Sequence, residues 1–449
     1  MLRPKRALPF YGRHPWVRDS AVERVEPMSI AGEHFLDLDG QTVDLVNEKG
    51  KFIARGFYNS QSRIRVRLYS WSPLEPLDEA FFRGRIEAAI ELRRKIGYER
   101  GPLAPRADSD LAAGDNVRPA SDIAIADSVL SRSERITTDN SLSRSERTTT
   151  EAAAAARLVF SEADGLSGLV VDRYGEHLVV QVTSLAIAQR VEMIVAILQD
   201  LLQPRGIVLR TEKSMAQIEG VGLAEGKVWG ELAEGTLEIV EHGLRYRIDL
   251  HEGQKTGFYL DQRENRRAAA AYVRGGKVLD MFCYTGGFAM CAAALGGAAD
   301  VLGIDTSKKA LAQARANAAL NGLANVRFET GDGFQTLDRL LGEEARFDAV
   351  ILDPPKFARN QSGASQALMA YHRLNRAAIG LLPRGGILVT CSCSGGVSRE
   401  DFLQMLSGVA QKSGRDIQVL DQRGAAPDHP VSATCLQTEY LKCLICRVI

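Results

Sequence analysis

From about residue 260 onward, short and continuously apolar runs alternate with amphipathic stretches. KVLDMFCY, ADVLGID, NVRFETGD, FDAVILDPP and GILVTCS read as strands buried on both faces. Helical segments separate them at 287–296, 307–322, 333–342 and 363–382. Parallel neighbours need crossover helices, so this alternation predicts an α/β fold with a doubly wound, Rossmann-like sheet. Two further strands, RDIQVLDQ and EYLKCLICRVI, follow with no helix expected between them. They are expected to add a terminal antiparallel hairpin, making seven strands.

The remaining chain divides by composition. Residues 1–75 carry short alternating runs broken by Gly, Asn and Ser, the pattern of a small β-rich domain. Within it, RIRVRLY puts Arg63, Arg65 and Arg67 on one strand face and Ile64, Val66 and Leu68 on the other. A solvated arginine face is the default reading, and a face that contacts RNA is the alternative. A connecting helix is expected over 76–100. Residues 101–156 are a low-complexity tract in which LSRSER occurs at 130–135 and again at 142–147. Such a tract buries too little apolar surface to fold alone and is expected to be a disordered insertion. Residues 157–255 read as an α+β middle domain, with a hairpin turning at His242-Gly243.

Charge excludes little. The 56 basic and 56 acidic side chains cancel, so any nucleic-acid contact must come from a local patch. No apolar run reaches the length of a membrane span, and the N-terminal MLRPKRALPFYGRHPW does not read as a signal peptide. All seven cysteines follow residue 282, mostly within apolar runs, which fits reduced thiols in a cytoplasmic protein. Cys443 and Cys446 form a CxxC inside an expected strand, where residues three apart face opposite sides. No metal site is expected.

Ligands of open α/β sheets bind beyond the carboxyl ends of the strands. The first strand ends at Asp280, before MFCYTGGF, where Gly286 and Gly287 open a helix and allow close backbone approach to a ligand. The second ends at Asp305, suited to a ribose diol, and the third at Gly331-Asp332-Gly333, suited to an adenine edge. The fourth ends in Asp353-Pro354-Pro355-Lys356-Phe357. A nucleotide-containing cofactor is expected. YTGGF in place of GxGxxG leaves no pyrophosphate cradle, which weighs against a dehydrogenase.

GQKTGFYLDQRENRR, VLDMFCYTGGFA, GIDTSKKAL, DPPKF, TCSCSG and DHPVSAT…YLKCLICRV together resemble the bacterial large-subunit rRNA cytosine-C5 methyltransferase I family. The resemblance covers nearly all the chain outside 101–156. It implies a PUA-like RNA-binding domain at 1–75, the family's middle domain, and a class I methyltransferase domain at 256–449 that takes S-adenosyl-L-methionine. Asp280, Tyr284, Gly286, Asp305 and Asp332 are then expected to line the cofactor; Gln262 and Arg263 are expected either to hold its methionine carboxylate or to serve a structural ion pair. It also implies Cys393 as nucleophile, with Asp353 beside the target base of 23S rRNA, in a monomer or homodimer. Cys391 falls where the family has an apolar residue and is expected in the core. Lys356 directly after the prolines, with Phe357 one further on, departs from the tetrads of amino-methylating enzymes. His429 matches the family and is expected to pack. Guanine N-methylation of rRNA, and a non-enzymatic RNA-binding assembly factor, are the alternative readings.

Overall fold

The computed structural model describes residues 1–26, 38–99, 154–211, 217–250, 257–358 and 363–449. The duplicated LSRSER tract, and the expectation of disorder attached to it, lie outside the described residues, as do residues 253–256 of the GQKTGFYLDQR stretch.

The N-terminal sheet is four-stranded and antiparallel. Its order is β1 (Trp16–Arg18), β4 (Ile64–Ser70), β3 (Phe52–Tyr58) and β2 (Thr42–Val46). One face covers a small core with Leu2, Phe10 and Ile53. The other packs Phe57 and Tyr69 against Phe81 and Phe82 of helix α1 (Glu79–Lys95). This second layer corrects the reading of β4. Arg67 is neither solvated nor open to RNA: it is buried, donating to Glu219 at 2.8 Å, Ser167 at 3.1 Å and Glu162 at 3.4 Å. The alternation correctly puts Arg67 on the polar face, but the middle domain covers that face at Arg67, while Arg63 is exposed and Arg65 half-buried.

The middle sheet runs in chain order: β5 (Ala155–Phe160), β6 (Leu169–Tyr174), β7 (His177–Val182), β8 (Gly206–Thr211) and β9 (Val228–Gly230). The parallel pair β7–β8 is joined through helix α2 (Val191–Leu202), and the other pairs are antiparallel. Strand β5 starts at Ala155, two residues inside the tract read as insertion, because Ala155 and Ala156 pair with Tyr174 and Arg173. The expected hairpin is present as β10 (Thr236–Glu241) and β11 (Leu244–Asp249). His242 and Gly243 both have positive φ, +50° and +81°, as a two-residue turn of the favoured hand requires.

The C-terminal sheet has seven strands: β12 (Lys277–Met281), β13 (Asp300–Asp305), β14 (Val326–Thr330), β15 (Ala349–Leu352), β16 (Ile387–Ser392), β17 (Ile417–Arg423) and β18 (Lys442–Val448). The order is β14-β13-β12-β15-β16-β18-β17, parallel from β14 to β16, with β18 antiparallel to both its neighbours. Helices α3 (Arg263–Ala270), α4 (Gly287–Ala294) and α5 (Lys308–Leu320) pack on one face. Helices α6 (Gly333–Gly342), α7 (Ala364–Gly380) and α8 (Arg399–Ser413) pack on the other. The sheet is thus doubly wound, as the apolar runs predict. Helix α8 is an addition. Its signal is Ser398-x-x-Asp401, whose side chains form a reciprocal capping box.

Buried charges join these layers. Arg93 of α1 is fully buried and donates to Asp164 at 2.7 Å, to the Asp428 carbonyl at 2.8 Å and to the Arg157 carbonyl at 2.9 Å. One guanidinium thereby ties the connecting helix to both the middle and the C-terminal sheets. His429 packs on the Phe160 ring at 5.3 Å and bonds Asp428 at 2.8 Å, the packing role expected of it. No helix among the described residues is long and apolar enough to cross a membrane. Replacing Arg93 by Met leaves the Asp164 carboxylate and two carbonyls without their donor, and is expected to cost about 3–5 kcal/mol of stability. Urea unfolding measures this, and a loss below about 1 kcal/mol would remove Arg93 from its joining role.

Candidate functional site

The parallel strands bring four acids to one edge of the sheet, each held differently. Asp280, one residue before the end of β12, is fully buried. One oxygen accepts the Ala289 amide at 2.9 Å, fastening the strand end to the first turn of α4. Its other oxygen is buried with no hydrogen-bond partner among the described residues. Burial pushes this carboxyl well above the usual aspartate range.

Asp305 ends β13 half-buried and accepts the Tyr284 amide at 2.9 Å and the Ser307 amide at 2.8 Å. Asp332 is exposed and caps α6, one oxygen accepting the Phe334 and Gln335 amides, both at 3.0 Å. Helix capping, the ordinary use of such an acid, is therefore present at Asp332.

The loop between β12 and α4 is strained. Phe282, Tyr284 and Gly286 have φ of +64°, +48° and +84°. For the two aromatic residues this conformation costs about 1–2 kcal/mol each, and such strain gathers at functional sites. The loop is held by the bond to Asp305 and by the Cys283 amide donating to Ile304 at 3.0 Å. Gly333 must be glycine here, since a Cβ would lie 2.3 Å from the Phe282 ring. The edge is thus a shelf of strained backbone with Asp305 and Asp332 toward solvent and Asp280 beneath. An unsatisfied buried carboxyl oxygen under an open shelf fits a polar, nucleoside-containing cofactor.

The second half of the edge is built around Asp353, which follows β15. Its Oδ1 accepts Gln262 Nε2 at 2.9 Å, and Gln262 Oε1 accepts Asn265 Nδ2 at 2.7 Å. Cys393, just past β16, brings Sγ to 3.9 Å from the Pro354 carbonyl, beside Asp353. Six of the seven cysteines are buried, and Cys393 alone is partly exposed. Cys391, expected in the core, is fully buried opposite Cys443, and that neighbour together with burial pushes its thiol well above the usual range. Lys356 is exposed, while Phe357 packs edge-on against Tyr371 at 5.0 Å.

The side chains of Gln262 and Arg263 are both engaged within the protein. Gln262 and Arg263 do not converge on one ligand group. Gln262 bridges Asp353 and Asn265. Arg263 is buried, with Nε donating to Glu241 at 3.2 Å, Asp428 at 4.0 Å and its guanidinium 5.1 Å from the centre of the Tyr98 ring. Successive residues of a helix point about 100° apart, so side chains adjacent at the start of α3 must diverge. Tyr259, which the residue-by-residue reading passed over, lies edge-on to Tyr284 at 5.3 Å, and burial followed by the Tyr284 phenol pushes its hydroxyl up. Its signal was its place in GFYLDQR. Asp261, accepting the hydroxyl of half-buried Tyr440 at 2.5 Å, was passed over in the same motif.

A family profile described as an S-adenosylmethionine-dependent methyltransferase matches residues 224–438, and one described as a PUA-like domain matches residues 1–71. The chain is 35% identical over 439 residues to ribosomal RNA large subunit methyltransferase I of Escherichia coli (strain K12), covering 97% of this chain and 96% of that one. The same figures hold for the protein of that name from Shigella flexneri serotype 5b. A solved Streptococcus mutans protein assigned as a SAM-dependent methyltransferase has the same fold, with a TM-score of 0.75 at 19% identity, covering 100% of this chain and 99% of that one. A second, assigned as a methyltransferase and solved in complex with SAH, has a TM-score of 0.71 at 21% identity, covering 92% of each chain.

The placement of Arg263 can be tested directly. Arg263→Ala leaves Glu241 and Asp428 short of a partner and is expected to cost about 3 kcal/mol of stability. Calorimetry should find S-adenosylmethionine binding within about twofold of the unaltered protein. A tenfold loss of affinity at unchanged stability would return Arg263 to the cofactor.

Proposed function

This chain belongs to the ribosomal RNA large subunit methyltransferase I family, and from that premise we propose that it methylates C5 of a cytosine in 23S rRNA through a covalent adduct between Cys393 and C6. The observation that carries the reading is the exposure of one thiol among seven, at a strand end beside Asp353. S-adenosylmethionine, the cofactor of this enzyme class, supplies a methyl group on a sulfonium.

C5 of cytosine is a poor nucleophile, and the side chains must change that. The Cys393 thiolate adds to C6, forming the S–C6 bond and moving the ring's double-bond pair toward C5. C5 then takes the methyl carbon, and the pair of the broken bond stays on the departing sulfur. A base removes the C5 proton, the freed pair restores the C5–C6 double bond, and Cys393 leaves as thiolate. Asp353, oriented by Gln262, is suited to hydrogen-bond the N3/N4 edge of the base and stabilise the adduct. Asp280, Tyr284, Gly286, Asp305 and Asp332 hold the cofactor in this reading.

The target base must be unpaired or flipped out to reach the thiol. In the proposed division, residues 1–75 form the PUA-like RNA-binding domain, 157–255 the middle domain and 256–449 the catalytic domain. The first two would grip the RNA backbone around the target. Exposed Lys356 after the prolines, where amino-methylating enzymes carry a stacking aromatic, speaks for carbon rather than nitrogen as the acceptor.

Cys393→Ala is expected to lower methylation of 23S rRNA at least a thousandfold while cofactor affinity persists. Radiolabelled methyl transfer and calorimetry measure the two. RNA containing 5-fluorocytosine should trap a covalent complex, because the C5 proton can no longer leave. Full activity of Cys393→Ala, without a trapped complex, would favour guanine N-methylation.

A further inference from the structure

Lys442 is 1% exposed at the start of β18. Its ammonium donates to the carbonyls of Ser394 and Tyr440, both at 2.8 Å. Among the described residues no carboxylate forms an ion pair with it. A buried ammonium is costly unless an anion answers it, and two neutral carbonyls do not supply one. The sheet register shows what lies beside the ammonium. Lys442 lies directly opposite Ser392, and its ammonium bonds the Ser394 carbonyl, so it spans the segment whose middle residue is Cys393.

Resting on the covalent reading above, we propose that Lys442 is a positioning residue for the nucleophile, holding Cys393 as the thiolate. The thiol needs such a neighbour, because Asp353 lies beside it and a carboxylate there opposes a second negative charge. Among the described residues the groups facing Cys393 include Asp353, Tyr259, Tyr371, Tyr440 and Lys442, and of these Lys442 carries the positive charge. Facing Lys442 are Cys393, Glu439, Arg399 and Lys356, with Arg399 bonded to Glu439 at 2.7 Å. Burial pushes the Lys442 ammonium down to about 8, while the charge of Cys393 acts to raise it. The ammonium is therefore mostly protonated near neutral pH, and it strengthens as a cation when the thiolate forms. Lysine suits the place because its compact ammonium can bond two carbonyls and keep a third donor.

The test is the pH dependence of Cys393 alkylation by iodoacetamide in the full chain, localised by peptide mass spectrometry. Burial of the other six thiols makes the probe selective. In the unaltered protein the midpoint is expected below the ordinary thiol value of about 8.5. Lys442→Gln should raise it enough to slow alkylation at pH 7 about tenfold, with kcat for methylation falling and KM for S-adenosylmethionine unchanged. Lys442→Arg should restore both the midpoint and kcat. An unaltered midpoint at or above about 8.5, or a Lys442→Gln profile that superimposes on it, overturns the proposal. If Lys442→Gln does not fold, the unaltered midpoint decides alone. The thiol titration does not depend on turnover, so an active Cys393→Ala would overturn the covalent reading without touching this measurement.

Discussion

A guanidinium in the interior has to be met by carboxylates, and that requirement organises this protein. Arg67 meets Glu162 and Glu219, Arg93 meets Asp164, Arg157 meets Asp172, and Arg263 and Arg266 share Glu241. Several of these pairs join segments far apart in sequence, such as Arg67 with Glu219 and Arg93 with Asp164. At three groups burial and pairing act in opposite directions and pairing wins: Arg157 and Arg266 are raised above the usual arginine range, and Asp428, paired first with His429 and then with Arg263, is lowered to about 2. To move one sheet against another would strand these charges in an apolar seam, at several kcal/mol per ion. The sheets therefore present one fixed surface, and the distance from the N-terminal domain to Cys393 is built in. The even balance of acids and bases is partly the composition of this seam.

The seam also marks the limit of what the sequence discloses. The parallel sheet was legible because burial on both faces demands unbroken apolar runs, and β12, β13 and β15 have no other interpretation. The turn at His242-Gly243 was legible because few residue pairs accept positive φ. Arg67 was misread for an instructive reason. Alternation tells which face a side chain occupies but not what covers that face, and the cover arrives from residues 162 and 219. Helix α8 was legible in its capping box and was passed over.

Within the site, legibility followed the same division. The strand-end acids could be found by position, because the fold dictates where strand ends meet, whereas Cys393 was set apart from Cys391 by the resemblance. Partners could not. Gln262 and Arg263 look interchangeable in a motif, yet one turns to Asp353 and the other to Glu241. Lys442 reads as a stray charge in an apolar strand until the antiparallel register puts it across from Ser392. The strain at Phe282 and Tyr284 carries no sequence mark either, although the close approach of Gly333 does.

The position of β18 has a consequence for how the enzyme comes into being. It follows the other six strands in the chain, yet it lies between β16 and β17. During synthesis the chain emerges from its N-terminus, so the five parallel strands can assemble while residues beyond 442 are still within the ribosome. Until then β16 has an open edge, and the segment bearing Cys393 lacks the strand that flanks it. The nascent protein can thus build its shelf of strained backbone before the segment bearing Cys393 is set, and that segment gains its flanking strand only as the sheet closes.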